Sequence, residues 1–180
     1  MLIARQKRKE NIGEYLLYMF QIEDLIRAYD FDIDLLEVNI ISKFDLPYHI
    51  KRDMREWYLS LISMMKEGKL IQKGHIPLVR SLISDLESFH IRILHDEAES
   101  KYHAAYVKAQ LSIDSLRTKS NGGNYGEIEL CINGLYGLLM LRLSKKAIRP
   151  ETSSAFGLIS NMMSLLSAKY LQFEQGDKEF

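Results

Sequence analysis

The chain has 180 residues, 47% hydrophobic and 27% charged, which is enough to bury the core of one ordinary globular domain. Twenty-four basic residues balance 24 acidic ones, so no bulk field draws the chain to nucleic acid or to an anionic membrane. A single cysteine excludes a disulfide framework, and the longest apolar run is well short of the roughly 18 residues that span a bilayer. The N-terminus lacks the basic-then-apolar order of a signal peptide, so a cytoplasmic protein is expected.

Residues 1–10 carry Arg5, Lys7, Arg8 and Lys9, and are expected to form a basic N-terminal arm, extended or continuing as helix. Such an arm suits phosphate contact, although a solvated terminus is the plainer expectation. Asn11 followed by Glu14 is a capping box and marks the first firm helix. From there Ile12, Tyr15, Leu16, Met19, Ile22, Ile26 and Tyr29 recur on one face. Glu23 points the same way, and an inward carboxylate needs a partner.

Asp32 caps a short helix with Leu35, Leu36, Ile40 and Ile41 inward. Asp45 and Pro47 open the next, whose stripe runs from Ile50 through Met54, Trp57, Tyr58 and Leu61 to Met65, with Gly68 as its stop. Residues 69–76 read as a connection, and Pro77 starts a helix lined by Val79, Leu82, Ile83, Leu86, Phe89 and Ile93. Polar residues from His95 to Lys101 predict a bend or break. Tyr102, Ala105, Tyr106, Ala109 and Ile113 then resume the stripe with smaller side chains. Residues 120–124 form a Gly-rich loop without phosphate-loop spacing.

The stretch from Asn124 to Lys146 is the most apolar in the chain. Asn124 with Glu127 is a second capping box, and Lys145 and Lys146 suit the negative end of the helix dipole. Ile128, Cys131, Ile132, Leu135, Leu138 and Leu139 share one face, and Leu130 and Leu141 extend it. A helix so apolar belongs in the middle of a bundle. Gly134 and Gly137 thin one side and permit close approach of a neighbour. Arg142 falls near the centre of the apolar face, so it either snorkels to solvent or meets a carboxylate. Snorkelling is the plainer expectation, and a buried Glu23–Arg142 ion pair, with Glu23 as the inward carboxylate, is the alternative to test. The last stripe, Ile159, Met162, Met163, Leu166 and Tyr170, reads as core, or as an adaptable surface for a homodimer through the last helix.

The predicted fold is all-α: a single-domain bundle of six to seven mostly antiparallel helices around the central apolar helix. It comprises the arm at 1–10, a helical domain at 11–174 and a polar tail at 175–180. Glu87 and His90 form a Glu-x-x-His, the spacing that presents two metal ligands from one helical turn, and His103 could join them. A di-iron site needs a second such motif, and the sequence has none that is evident. No cofactor is therefore expected. Cys131 lacks a positive neighbour and is expected to be inert.

Taken together, RKENIGEYLLYMFQIEDLIRA (Arg8 to Ala28) and GEIELCINGLYGLLMLRLSKKAIRPET (Gly126 to Thr152) resemble a family of small, wholly helical bacterial proteins known as a domain of unknown function. The resemblance covers essentially the whole chain. It implies an all-helical cytoplasmic protein and carries no activity and no functional residues. The leading expectation is a non-enzymatic structural or protein-interaction module, with an unknown protein or a second copy as partner. Metal binding through Glu87, His90 and His103, and nucleic-acid contact through the arm, are the alternatives.

Overall fold

The computed structural model describes residues 2–120 and 125–176. Among these, eight α-helices follow one another: α1 (Leu2–Glu10), α2 (Ile12–Ala28), α3 (Ile33–Asn39), α4 (Tyr48–Glu67), α5 (Pro77–Leu94), α6 (Ser100–Lys119), α7 (Glu127–Leu143) and α8 (Pro150–Glu174). A short 3-10 turn, Ile41–Lys43, links α3 towards α4. The all-α class holds, and the helix beyond the expected six to seven is the N-terminal arm itself.

That arm is helical for an electrostatic reason. Lys7, Arg8 and Lys9 occupy the last turn of α1, where the helix dipole is negative and basic side chains are favoured. Asn11 ends α1 and caps α2, its side chain accepting the Glu14 N–H at 3.0 Å. Glu14 does not reach back to close the box; its carboxylate pairs with Lys7 at 2.8 Å. The Arg8 guanidinium forms a two-pronged pair with Glu174 at 2.7 and 2.6 Å. The first and last helices are thereby tied together, and Ala4 is buried in the core.

Asp32 caps α3 as expected, accepting from the Asp34 and Leu35 amides at 2.8 and 3.1 Å. Pro77 sits in the first turn of α5, where its missing N–H costs nothing. The break between α5 and α6 falls at residues 95–99. Glu99, almost wholly buried at the start of α6, pairs with Lys169 of α8.

The α7 helix packs against α2, α5, α6 and α8, the central position its apolarity demands. Ile128, Leu130, Cys131 and Ile132 of its first half are buried on several sides. The second half emerges: Met140, Leu141 and Leu143 are exposed, and so is Arg142. Gly134 works as its sequence suggests. A Cβ there would lie 2.6 Å from Leu116 of α6 and 3.0 Å from Phe156 of α8, so its absence lets both neighbours close on α7. Gly137 faces open space. The expected cap residue Asn124 lies outside the described residues, and so does most of the Gly-rich loop. The last described residue before the helix, Gly126, makes no side-chain cap. On α8, Met162, Met163 and Leu166 are buried within the chain's own core. The methionines read as an adaptable dimer surface are therefore packed within the bundle. Among the described residues no helix is long and apolar enough to cross a membrane.

Candidate functional site

Glu23 is inward, as its place on the helical wheel requires, and completely buried. Its partner is not Arg142. One carboxylate oxygen accepts the Ile76 N–H at 2.8 Å and the other meets His75 Nδ1 at 2.5 Å. The alternative of a Glu23–Arg142 ion pair is thus corrected: the guanidinium is exposed in the last turn of α7, as the plainer expectation had it, and a loop histidine meets Glu23 instead. A carboxylate accepts and cannot donate, so the proton between Glu23 and His75 belongs to Nδ1.

Sequence reasoning placed His75 in a connection and gave it no role. Its signal was the inward Glu23 without a partner, together with Arg27 one turn further along α2. Arg27 donates from Nε to the Leu70 carbonyl at 3.1 Å and also hydrogen-bonds the Gly74 carbonyl. Glu23 and Arg27 therefore grip the α4–α5 connection from one face of one helix. The Phe20 ring stacks on His75 with centroids 3.8 Å apart and an interplanar angle of 14°. Tyr136 of α7 meets the Phe20 ring edge-on at 5.4 Å and donates its hydroxyl to Asp24 at 2.6 Å.

His75 lines an open cavity of about 670 Å³ bounded by the α4–α5 connection, the end of α6 and the first turns of α7. Glu129 and Asn133, one turn apart on α7, line it too, as do Lys73 and Ser120. Leu116 and Leu130 supply apolar wall.

The residues proposed for metal are put to other uses. Glu87 caps α7 from α5, its two oxygens accepting the Glu127 and Ile128 amides at 3.0 and 2.9 Å. The N-terminal amides of α7 are thus satisfied from another helix, and the carboxylate suits the positive end of the dipole. His90 is buried, with Nδ1 2.5 Å from the Tyr102 hydroxyl and Nε2 3.4 Å from Glu127 Oε1. A carboxylate on the Nε2 side requires Nε2–H, so Tyr102 donates to Nδ1. Burial raises the Tyr102 pKa strongly and keeps that phenol protonated. The His90 imidazole holds the Glu127 carboxyl below its usual range, against burial, with Tyr106 helping. At 3.4 Å the contact is longer than a normal hydrogen bond, and Glu127 Oε1 is buried without a hydrogen-bond partner. His103 turns Nε2 to the Ile93 carbonyl at 3.1 Å. Glu87 and His90 face α7 side by side, and His103 does not join them. Among the described residues no three His, Cys, Asp or Glu side chains are grouped to hold a metal ion.

Cys131 is buried, and burial pushes its thiol up to about 12. In the basic cluster, Lys7 and Arg8 are paired with Glu14 and Glu174, while Arg5 and Lys9 are exposed.

No curated protein and no solved structure matches the chain. Residues 1–177 match the model of a family described as a domain of unknown function (DUF4924), and the chain belongs to that family.

Proposed function

We propose that this protein is a non-enzymatic helical interaction module that pairs with a second copy of itself. The observation that carries this reading is an apolar groove of about 530 Å³ between α2 and the emerging half of α7. Tyr18, Ile22 and Leu25 form one wall, and Tyr136, Met140 and Leu143 form the other. Both sets recur at three- and four-residue spacing, the pattern of a helical face made to meet another helix. Ile3 and Phe44 carry the apolar surface on into a neighbouring hollow of about 290 Å³, where Ile50 and Met54 lie.

A second copy suits this surface because it offers ridges as well as hollows. Leu143 and Leu2 are 60% and 59% exposed and border the hollows they line. A twofold axis across the groove would seat each copy's ridge in the other's hollow, as isologous pairing requires. A formal net charge of zero sets no repulsion against association. The interface moves from α8, where the sequence suggested it, to the end of α7.

Sedimentation equilibrium at micromolar concentration tests the proposal. The expected mass is about 42 kDa, twice the 21.0 kDa of one chain. Leu143→Glu, which places a charge on an already exposed position, returns the protein to monomer without loss of helix. A wild-type chain that stays at monomer mass would refute the reading.

A further inference from the structure

The chain is neutral as a whole, but its charges are segregated about the apolar groove. Between Met140 and Pro150 it carries Arg142, Lys145, Lys146 and Arg149 and no acid. These side chains are exposed, and none has an ion-pair partner among the described residues. Between Ala28 and Ile40 the reverse holds: Asp30, Asp32, Asp34 and Glu37, and no base. Among the described residues Arg55 of α4 alone answers them, pairing with Asp34 and Glu37. Both segments are held on closed turns. The Lys145 and Lys146 N–H groups donate to the Arg142 and Leu141 carbonyls, each at 3.0 Å. The Asp30 and Asp32 N–H groups donate to the Arg27 and Tyr29 carbonyls at 3.0 and 2.9 Å.

The two segments extend opposite walls of the groove at the same end. The α2 and α7 helices run parallel: Leu135 shares a small cavity with Gly13 and Leu17, Tyr136 reaches Asp24, and Leu143 shares the groove with Ala28. The acidic segment therefore continues the α2 wall, and the basic segment continues the α7 wall.

We propose that these charges fix how two copies meet: the basic α7–α8 connection of each copy lies on the acidic α2–α3 segment of the other. This rests on the self-pairing proposed above and adds its orientation. Face-to-face pairing that sets each α7 wall on the partner's α2 wall makes the contact twice, as isologous symmetry requires. The opposite choice sets cations on cations and acids on acids, and that repulsion excludes it. Within one chain the basic segment meets no acid, so its charge is free for a partner.

Sedimentation velocity of the full chain at about 0.05 and about 0.5 M sodium chloride tests the orientation. Wild type is expected to pair more weakly at the higher salt, where screening shortens the reach of exposed charges to a few ångströms. Lys145→Glu with Lys146→Glu is expected to weaken self-pairing about tenfold or more, and so is Asp30→Lys with Glu37→Lys. Mixed in equal amounts, the two variants are expected to pair with each other as tightly as wild type, because every contact in the mixed pair again joins opposite charges. The substituted positions are all exposed, so circular dichroism should show native helix in each variant. A wild-type chain that stays monomeric would remove self-pairing itself, and this orientation with it. A paired wild type that ignores salt, or reversed variants that each pair as tightly as wild type, would overturn the orientation and leave self-pairing standing. So would variants that fail to pair alone and fail again when mixed.

Discussion

Replacing Glu23 by glutamine and by alanine separates the two things this carboxylate does. Alanine removes a fully buried acceptor, leaving the buried Ile76 N–H and the half-buried His75 Nδ1–H without their partner. Each unsatisfied donor costs about 1–3 kcal/mol, the half-buried one at the low end, so the loss is about 2–4 kcal/mol in all. For a chain of this length each kcal/mol moves the melting temperature by about 2–4 °C, so Glu23→Ala should melt about 4–16 °C lower. Glutamine is different. Its carbonyl keeps the Ile76 N–H, and its amide donates to His75 Nδ1 once the ring changes tautomer. Glu23→Gln should therefore cost about 1 kcal/mol, near the net worth of one hydrogen bond. It should also move the His75 proton from Nδ1 to Nε2. Thermal melts by circular dichroism measure the first effect, and two-bond ¹H–¹⁵N correlations of the imidazole read the second. A wild-type His75 protonated on Nε2 alone, or a Glu23→Ala protein as stable as wild type, would refute this account of the site.

Serine is ordinarily a better N-cap than glycine, yet Gly126→Ser and Gly126→Ala should both destabilise by about 1–3 kcal/mol, the usual cost of overpacking. Any Cβ at Gly126 collides with the Glu87 carboxylate that caps α7, and urea melts would show the loss. Glu127 has a folded-state pKa below its ordinary 4.5, held there chiefly by His90. Its stabilisation is thus complete above that value and is lost as pH falls through the lower, folded one. Glu127→Gln should flatten that part of the acid-unfolding curve, and an unchanged curve would remove Glu127 from it. The Cys131 thiol, buried and pushed up to about 12, should ignore a disulfide reagent at pH 8 in the native protein and react fully in denaturant. Native reactivity would show that α7 opens.

Helix positions were legible because their causes are local. The capping side chains of Asn11 and Asp32 act on amides two or three residues away, and the apolar stripes repeat within one helix. The inward turn of Glu23 was legible for the same reason. Of the candidate site, sequence disclosed the carboxylate and concealed the histidine, since His75 lies in a loop with no periodicity to mark it. Glu87 and His90 looked like ligands because a turn of helix brings them to one face. That face meets α7, where an orphan helix end and a buried carboxylate claim them.

What the sequence determined by itself was the all-helical class, the inner face of each helix and the need of one buried carboxylate for a partner. Tertiary structure decided which partner. A charge inside a protein takes whichever donor the packing of distant segments brings within hydrogen-bond reach. Here the α4–α5 connection reached Glu23, while Arg142 was carried out to solvent at the end of α7.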